Sequence, residues 1–211
     1  MRWLHPSLVL LLVAVNCRCE ASLSPSLSST AEGPTFAAVS AAVSAAKPGD
    51  TVVIPAGQAT WDRPLVITKG IVLIGAGIDK TVITSDYTTN RDTADPTRAL
   101  ISFKPATPGD NPTFRLSGMT IDCASKCDGV WLFNDSLRYP CTKIRLDHLK
   151  ITNCKHPGTS YPRIAVGRYG TVYGVCDSSY LNGMLSNSSL HALWTNAAYD
   201  FGDEYNFYYE D

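Results

Sequence analysis

No apolar run in this sequence approaches the roughly 20 residues that a membrane-crossing helix needs; the stretch Leu8–Val15 is far too short. Lys and Arg nowhere cluster, and 18 of them against 19 Asp and Glu leave a net charge of -1 and a pI near 6.4. The electrostatic footprint of a nucleic-acid-binding protein is therefore missing. Histidine is scarce, at four residues, and no Cys-x-x-Cys pair occurs beyond residue 21, so the cysteines lack a zinc template. What remains is ordinary: 45% hydrophobic and 18% charged residues over 211 positions suit one globular domain and exclude disorder throughout.

The N-terminus has the layout of a secretory signal peptide. Arg2 precedes the apolar Leu8–Val15, and a polar stretch leads to small residues at Cys19 and Ala21, as cleavage after Ala21 requires. An uncleaved anchor is the alternative that the short apolar run disfavours. Cleavage removes Arg2, Arg18 and Glu20, takes the net charge to -2, and leaves an extracellular or periplasmic chain without a membrane segment. Five cysteines then remain: Cys123, Cys127, Cys141, Cys154 and Cys176. An exported chain keeps disulfides. Cys123 with Cys127 and Cys141 with Cys154 are nearest in sequence, although spacing leaves the connectivity open. Asn134-Asp135-Ser136 and Asn187-Ser188-Ser189 match the N-glycosylation pattern.

Residues 22–34, rich in Ser and Pro, read as a flexible lead-in. From Phe36 to Ala46, Phe36, Val39 and Val43 recur at helical spacing among strong helix formers, which predicts one amphipathic helix capped by Thr35 and stopped by Lys47-Pro48-Gly49. From Asp50 the pattern changes to short β-branched runs: Thr51–Ile54, Leu65–Ile67, Ile71–Ile74 and Thr81–Thr84. These are strands. The turns between them, Pro55-Ala56-Gly57, Thr68-Lys69-Gly70 and Gly75-Ala76-Gly77, have no room for crossover helices, which excludes a doubly wound sheet.

Arg115-Leu116-Ser117-Gly118-Met119-Thr120-Ile121 and Arg145-Leu146-Asp147-His148-Leu149-Lys150-Ile151 match at Arg, Leu, a hydrophobic position and Ile, 30 residues apart. A repeat of this period predicts a solenoid whose coils stack, with Leu116, Met119 and Ile121 under Leu146, Leu149 and Ile151. The helix 36–46 is placed to cover the open first coil. At the other end, Tyr205, Phe207 and Tyr209 alternate as in a half-buried strand and no capping segment follows, so 35–211 reads as a domain incomplete at its C-terminus.

The segments Ala41–Gly57 and Leu65–Gly77, read with these repeats and Val175–Tyr180, resemble the opening of pectin lyase-like right-handed parallel β-helix proteins. That resemblance implies an all-β fold, a triangular coil of three parallel sheets behind an N-terminal capping helix, and an extracellular role on polysaccharide. Substrate in such folds lies in a groove along one sheet, flanked by loops of the middle and later coils. It also implies calcium held by carboxylates with an Arg base, as in pectate lyases. The sequence departs from the hydrolase branch, having no Asp-Asp pair and no Gly-His-Gly element, and Cys176-Asp177-Ser178 stands where the lyase pattern has Ile-Asp-His.

Uronate elimination needs a base for the C5 proton and a positive centre for the carboxylate. The metal-ligating candidates are Asp122, Asp147 and Asp177, each of which equally suits a turn residue bonding its own backbone. The catalytic candidates are Arg163, Arg168 and His148. His148 beside Asp147 forms a dyad only if the chain bends between them, since strand neighbours point to opposite faces. Arg91 and Arg98, in the long polar loop 85–98, and the aromatics Tyr161 and Tyr169 are candidates for sugar binding, with Trp131, Tyr173 and Trp194 as further stacking residues. Three functions follow: a polysaccharide lyase or hydrolase, or the N-terminal part of one; a non-catalytic carbohydrate-binding or adhesion β-helix; and an inactive truncated product.

Overall fold

The computed structural model describes residues 26–89, 95–136, 138–155, 163–188 and 207–209. The leader 1–21, Arg91, Tyr161, Trp194 and Tyr205 lie outside the described residues. In chain order the elements are β1 (Ser28–Thr30), α1 (Phe36–Ala45), β2 (Thr51–Ile54), β3 (Gly57–Trp61), β4 (Leu65–Ile67), β5 (Val72–Gly75) and β6 (Thr81–Ser85). A short 3-10 turn at Pro96–Arg98 leads to β7 (Ala99–Phe103), β8 (Phe114–Asp122), β9 (Asp128–Asn134) and β10 (Cys141–Thr152). Then come β11 (Ile164–Gly170), β12 (Val172–Asp177), β13 (Tyr180–Leu181), β14 (Met184–Ser188) and β15 (Phe207–Tyr209).

Among the described residues the protein is all-β with one α-helix, and all the strand pairings are parallel. One sheet has ten strands along the path β1-β2-β5-β8-β10-β12-β15, with β3, β6 and β13 beside it; the other has five, in the order β4-β7-β9-β11-β14. From β7 to β12 the chain visits the two sheets alternately. Such burial on both faces explains the near-continuous apolar runs: every residue of β7 and β9 is buried.

Register carries the core. Val52, Leu73, Leu116, Leu146 and Cys176 stand opposite one another across five strands, and Ile83, Ile121, Ile151 and Leu181 form a second row. On the smaller sheet Leu65, Ile101, Val130 and Val166 form a third. Each fully buried aliphatic side chain in such a row contributes about 1.5–3 kcal/mol, so no row is stable without its neighbours. The 30-residue repeat is thus a direct pairing, since Arg115 to Ser117 face Arg145 to Asp147, and Met119 to Ile121 face Leu149 to Ile151.

The two halves of β8 pair with different strands, β5 and β6, because the chain bends at Gly118, whose φ is +68°. The equivalent bend in the next strand falls at His148 (φ +51°), and in the one after at Ser178 (φ +48°). Backbones pack closely here: a Cβ on Gly75 would lie 2.4 Å from the Gly118 carbonyl oxygen.

Helix α1 begins at the predicted cap, where Ala38 N donates to Thr35 Oγ1, and buries Val39 and Val43 against the sheet ends. Its C-terminal carbonyls, which lack helical partners, are met by Lys69 Nζ, bonded to Ser44 O and Ala46 O. The helix fits over Trp61, whose ring meets Phe36 edge-on at 5.5 Å.

Three expectations need correction. Within the stretch read as a flexible lead-in, residues 28–30 form β1, paired with Thr51–Val53. Gly57, read as a turn, opens β3, which is held by pairing with β6 and by burial of Trp61. The cysteines of the described residues are all free and buried, so neither sequence-near disulfide is formed. The Asn134 sequon is also enclosed: its Nδ2 donates to Tyr139 O, Thr171 O and Thr171 Oγ1.

Candidate functional site

The strongest concentration of polar chemistry lies across β8, β10 and β12. Register aligns Arg115 with Arg145, and Ser117 with Asp147 and Asp177, on successive strands. The Asp147 side chain is 0% exposed. It is satisfied by a two-pronged contact from Arg115 (Nε to Oδ2, 2.7 Å; Nη2 to Oδ1, 2.8 Å), by Ser117 Oγ at 2.5 Å, and by Arg145 Nε at 3.2 Å. Arg145 also reaches the next strand through Nη2, 2.7 Å from Asp177 Oδ2.

The bend at His148 settles the question of the dyad's geometry. A left-handed residue turns the chain so that His148 comes to the side of its predecessor, and its Nδ1 lies 2.9 Å from Asp147 Oδ1. Burial raises the Asp147 pKa, but hydrogen bonds from Arg115, Ser117 and His148 outweigh it and hold the carboxyl well below the usual range. An ionised carboxylate only accepts, so Nδ1 must carry the proton, and neutral imidazole then presents Nε2 as its basic nitrogen. With 63% of its side chain exposed, His148 offers that nitrogen to solvent. A buried carboxylate thus orients an exposed base, with two half-exposed guanidinium groups beside it.

Other candidates are engaged elsewhere. Arg163 is buried and bonds Thr89 Oγ1 (3.1 Å), Thr89 O and Ser125 O. Arg168 is buried in register with Leu132 and Phe103, an interior row, and Nη1 donates to Val172 O. Arg98 is 4% exposed, pairs through Nε with Asp128 Oδ2 at 2.7 Å, and sits 4.6 Å above the Trp131 ring. Tyr169 packs against Phe133. Arg163, Arg168 and Arg98 are thus all buried and bonded within the protein.

Calcium fits poorly. Asp122 closes a turn, accepting from Ala124 N and Asn153 Nδ2. Asp147 is already met by two guanidinium groups, and Arg145 bridges it to Asp177. Among the described residues no three metal-ligating groups converge. One oxygen of Asp177, Oδ1, is buried without a hydrogen-bond partner among the described residues.

Arg115, Arg145 and Ser117 were missed as site residues. Their signal was the repeat itself, which places the same Arg at the same point of two adjacent strands.

No protein-family model matches the chain, and no curated protein matches it. Among solved structures it is similar to ORF18 of Geobacillus virus E2, at 17% identity and a TM-score of 0.42, over 72% of this chain and 35% of that one. The chain therefore spans about a third of that protein's length.

Proposed function

We propose that the chain winds as a right-handed parallel β-helix of the pectin lyase-like type and acts on an anionic polysaccharide, with His148 as the base. Supporting the winding are the alternation between two parallel sheets and the 30-residue register. The leader pattern of residues 1–21 supports an extracellular or periplasmic place of action.

The observation that carries the chemistry is the Asp147–His148 contact on the guanidinium row. His148 Nε2 takes the C5 proton of a uronate unit. The free N–H groups of Arg115 and Arg145 meet the adjoining carboxylate, each guanidinium having five donors of which Asp147 and Asp177 take only some. The electrons of the C5–H bond form the C4–C5 double bond as the bond from C4 to the glycosidic oxygen breaks, and the departing oxygen takes a proton from water.

A second reading, carbohydrate binding without turnover, is favoured by the charge balance of the same cluster, in which two Arg face two Asp. Incubation with polygalacturonate, with and without calcium, separates the two. Ultraviolet absorbance from unsaturated ends is expected in the wild type and lost in His148→Gln. Retention on a polysaccharide gel with neither absorbance nor new reducing ends establishes binding alone and removes the base from His148.

A further inference from the structure

We propose that Cys123 and Cys154 are a cross-strand disulfide site, joining the residue that follows β8 to the chain just beyond β10. Their sulfurs are 3.2 Å apart, and both side chains are buried. The turns that carry them are already tied together, by Cys123 N to Thr152 O (3.0 Å) and Ser125 N to Asn153 O (2.9 Å). Bonding requires the sulfurs to approach by only about 1 Å, to the usual 2.03–2.05 Å.

Among the described residues Cys127 also hydrogen-bonds the Cys123 thiol and is the one competing partner within reach, but it is held elsewhere as well. Cys127 Sγ is bonded to Ser85 Oγ at 3.1 Å, a contact that pairing with Cys123 would break. Cys141 donates to Asp110 O near the start of β10, and Cys176 lies in the interior row opposite Leu146. The pairing differs from both sequence-near ones because the close approach is made across strands, at a separation of 31 residues.

The chemistry is a two-electron oxidation. The two thiols give up two protons and two electrons, one S–S bond forms, and a disulfide oxidant of the glutathione type accepts them by cleaving its own S–S bond into two thiols. Since the folded site is enclosed, the bond closes as the strands come together during folding.

The test is refolding of the full chain in a glutathione redox buffer, alkylation of remaining thiols, and peptide mapping without reduction. The expected result is an intact mass, taken before alkylation, lower than that of the reduced chain by about 2 Da, the two hydrogens lost, and one linked pair, 123 with 154. Cys127→Ser retains the link and Cys154→Ser loses it. The oxidised protein melts about 10 °C above the reduced one, as closing a loop of this length implies. A map that links Cys123 to Cys127, links either partner to Cys141 or Cys176, or finds every cysteine alkylated overturns the proposal. The wild-type map decides alone if a variant fails to fold.

Discussion

His148 and Asp147 are consecutive residues of one strand, yet His148 Nδ1 lies 2.9 Å from Asp147 Oδ1. Neighbours in a regular strand point to opposite faces. The left-handed backbone at His148 removes that separation and makes a buried acid and an exposed base into a pair.

His148→Gln is expected to leave the melting temperature nearly unchanged, since the side chain is exposed, while lowering any lyase rate about 100-fold or more, the usual contribution of a general base. His148→Val is expected to behave differently. A β-branched residue in the left-handed region costs about 1–2 kcal/mol, so urea denaturation should show destabilisation of that size. Equal stability of the Val and Gln variants would show that the bend is unstrained.

Asp147→Ala leaves Arg115 and Arg145 without their shared carboxylate. The expected loss is about 2–4 kcal/mol, toward the lower end of the range for broken buried pairs because both guanidinium groups reach water. A midpoint shift in urea at constant slope would measure it.

The same residue sets a pH dependence. Its pKa is depressed in the folded protein, so its stabilisation is fully present above the unfolded value of about 3.9 and is lost as pH falls below that toward the folded value. Melting curves of wild type and Asp147→Asn should therefore run parallel from pH 7 to about 4, and converge below it. Convergence already at pH 6 would contradict this sign and window.

Much of the fold was legible because its signals are local. The β-branched runs at 51–54, 65–67 and 81–84 became strands, and the spacing between Arg115 and Arg145 became a register. Gly57–Trp61 was not legible, since it opens on the turn signal Pro55-Ala56-Gly57 and holds no run of β-branched residues, so that only pairing with β6 makes it a strand. The third copy, Val175–Leu181, was obscured because Val replaces Arg at its first position. For the site, the dyad at Asp147 and His148 was visible as conditional on a bend, and the polar pairs Ser117-Gly118 and Asp147-His148, at the same point of the two copies, mark where that bend falls. The burial of Arg98 and Arg163 was not legible, because the partners that draw them inward, Asp128 and Thr89, are 30 and 74 residues away in the chain.

Asp128 illustrates the cost of such burial. It accepts from Arg98, from Trp131 Nε1 at 3.0 Å and from Ile164 N at 3.0 Å. Arg98→Met is expected to cost about 3–5 kcal/mol by stranding a buried carboxylate, and the double variant Arg98→Met/Asp128→Leu should recover part of that. Chemical denaturation of the three variants would check the coupling.

Gly75→Ala should destabilise by more than an exposed Gly→Ala change, by about 2 kcal/mol, because the added carbon meets the Gly118 carbonyl rather than a side chain that can move. Wild-type stability in this variant would mean that β5 and β8 can separate locally.

The enclosed amide of Asn134 bears on how the protein should be produced. In a cell that attaches sugars to nascent chains, a glycan on that nitrogen and the three hydrogen bonds it makes to residues 139 and 171 are mutually exclusive. Sugar at this position would therefore report chains that were trapped before reaching the native state, and secreted native material from a eukaryotic host should carry none there.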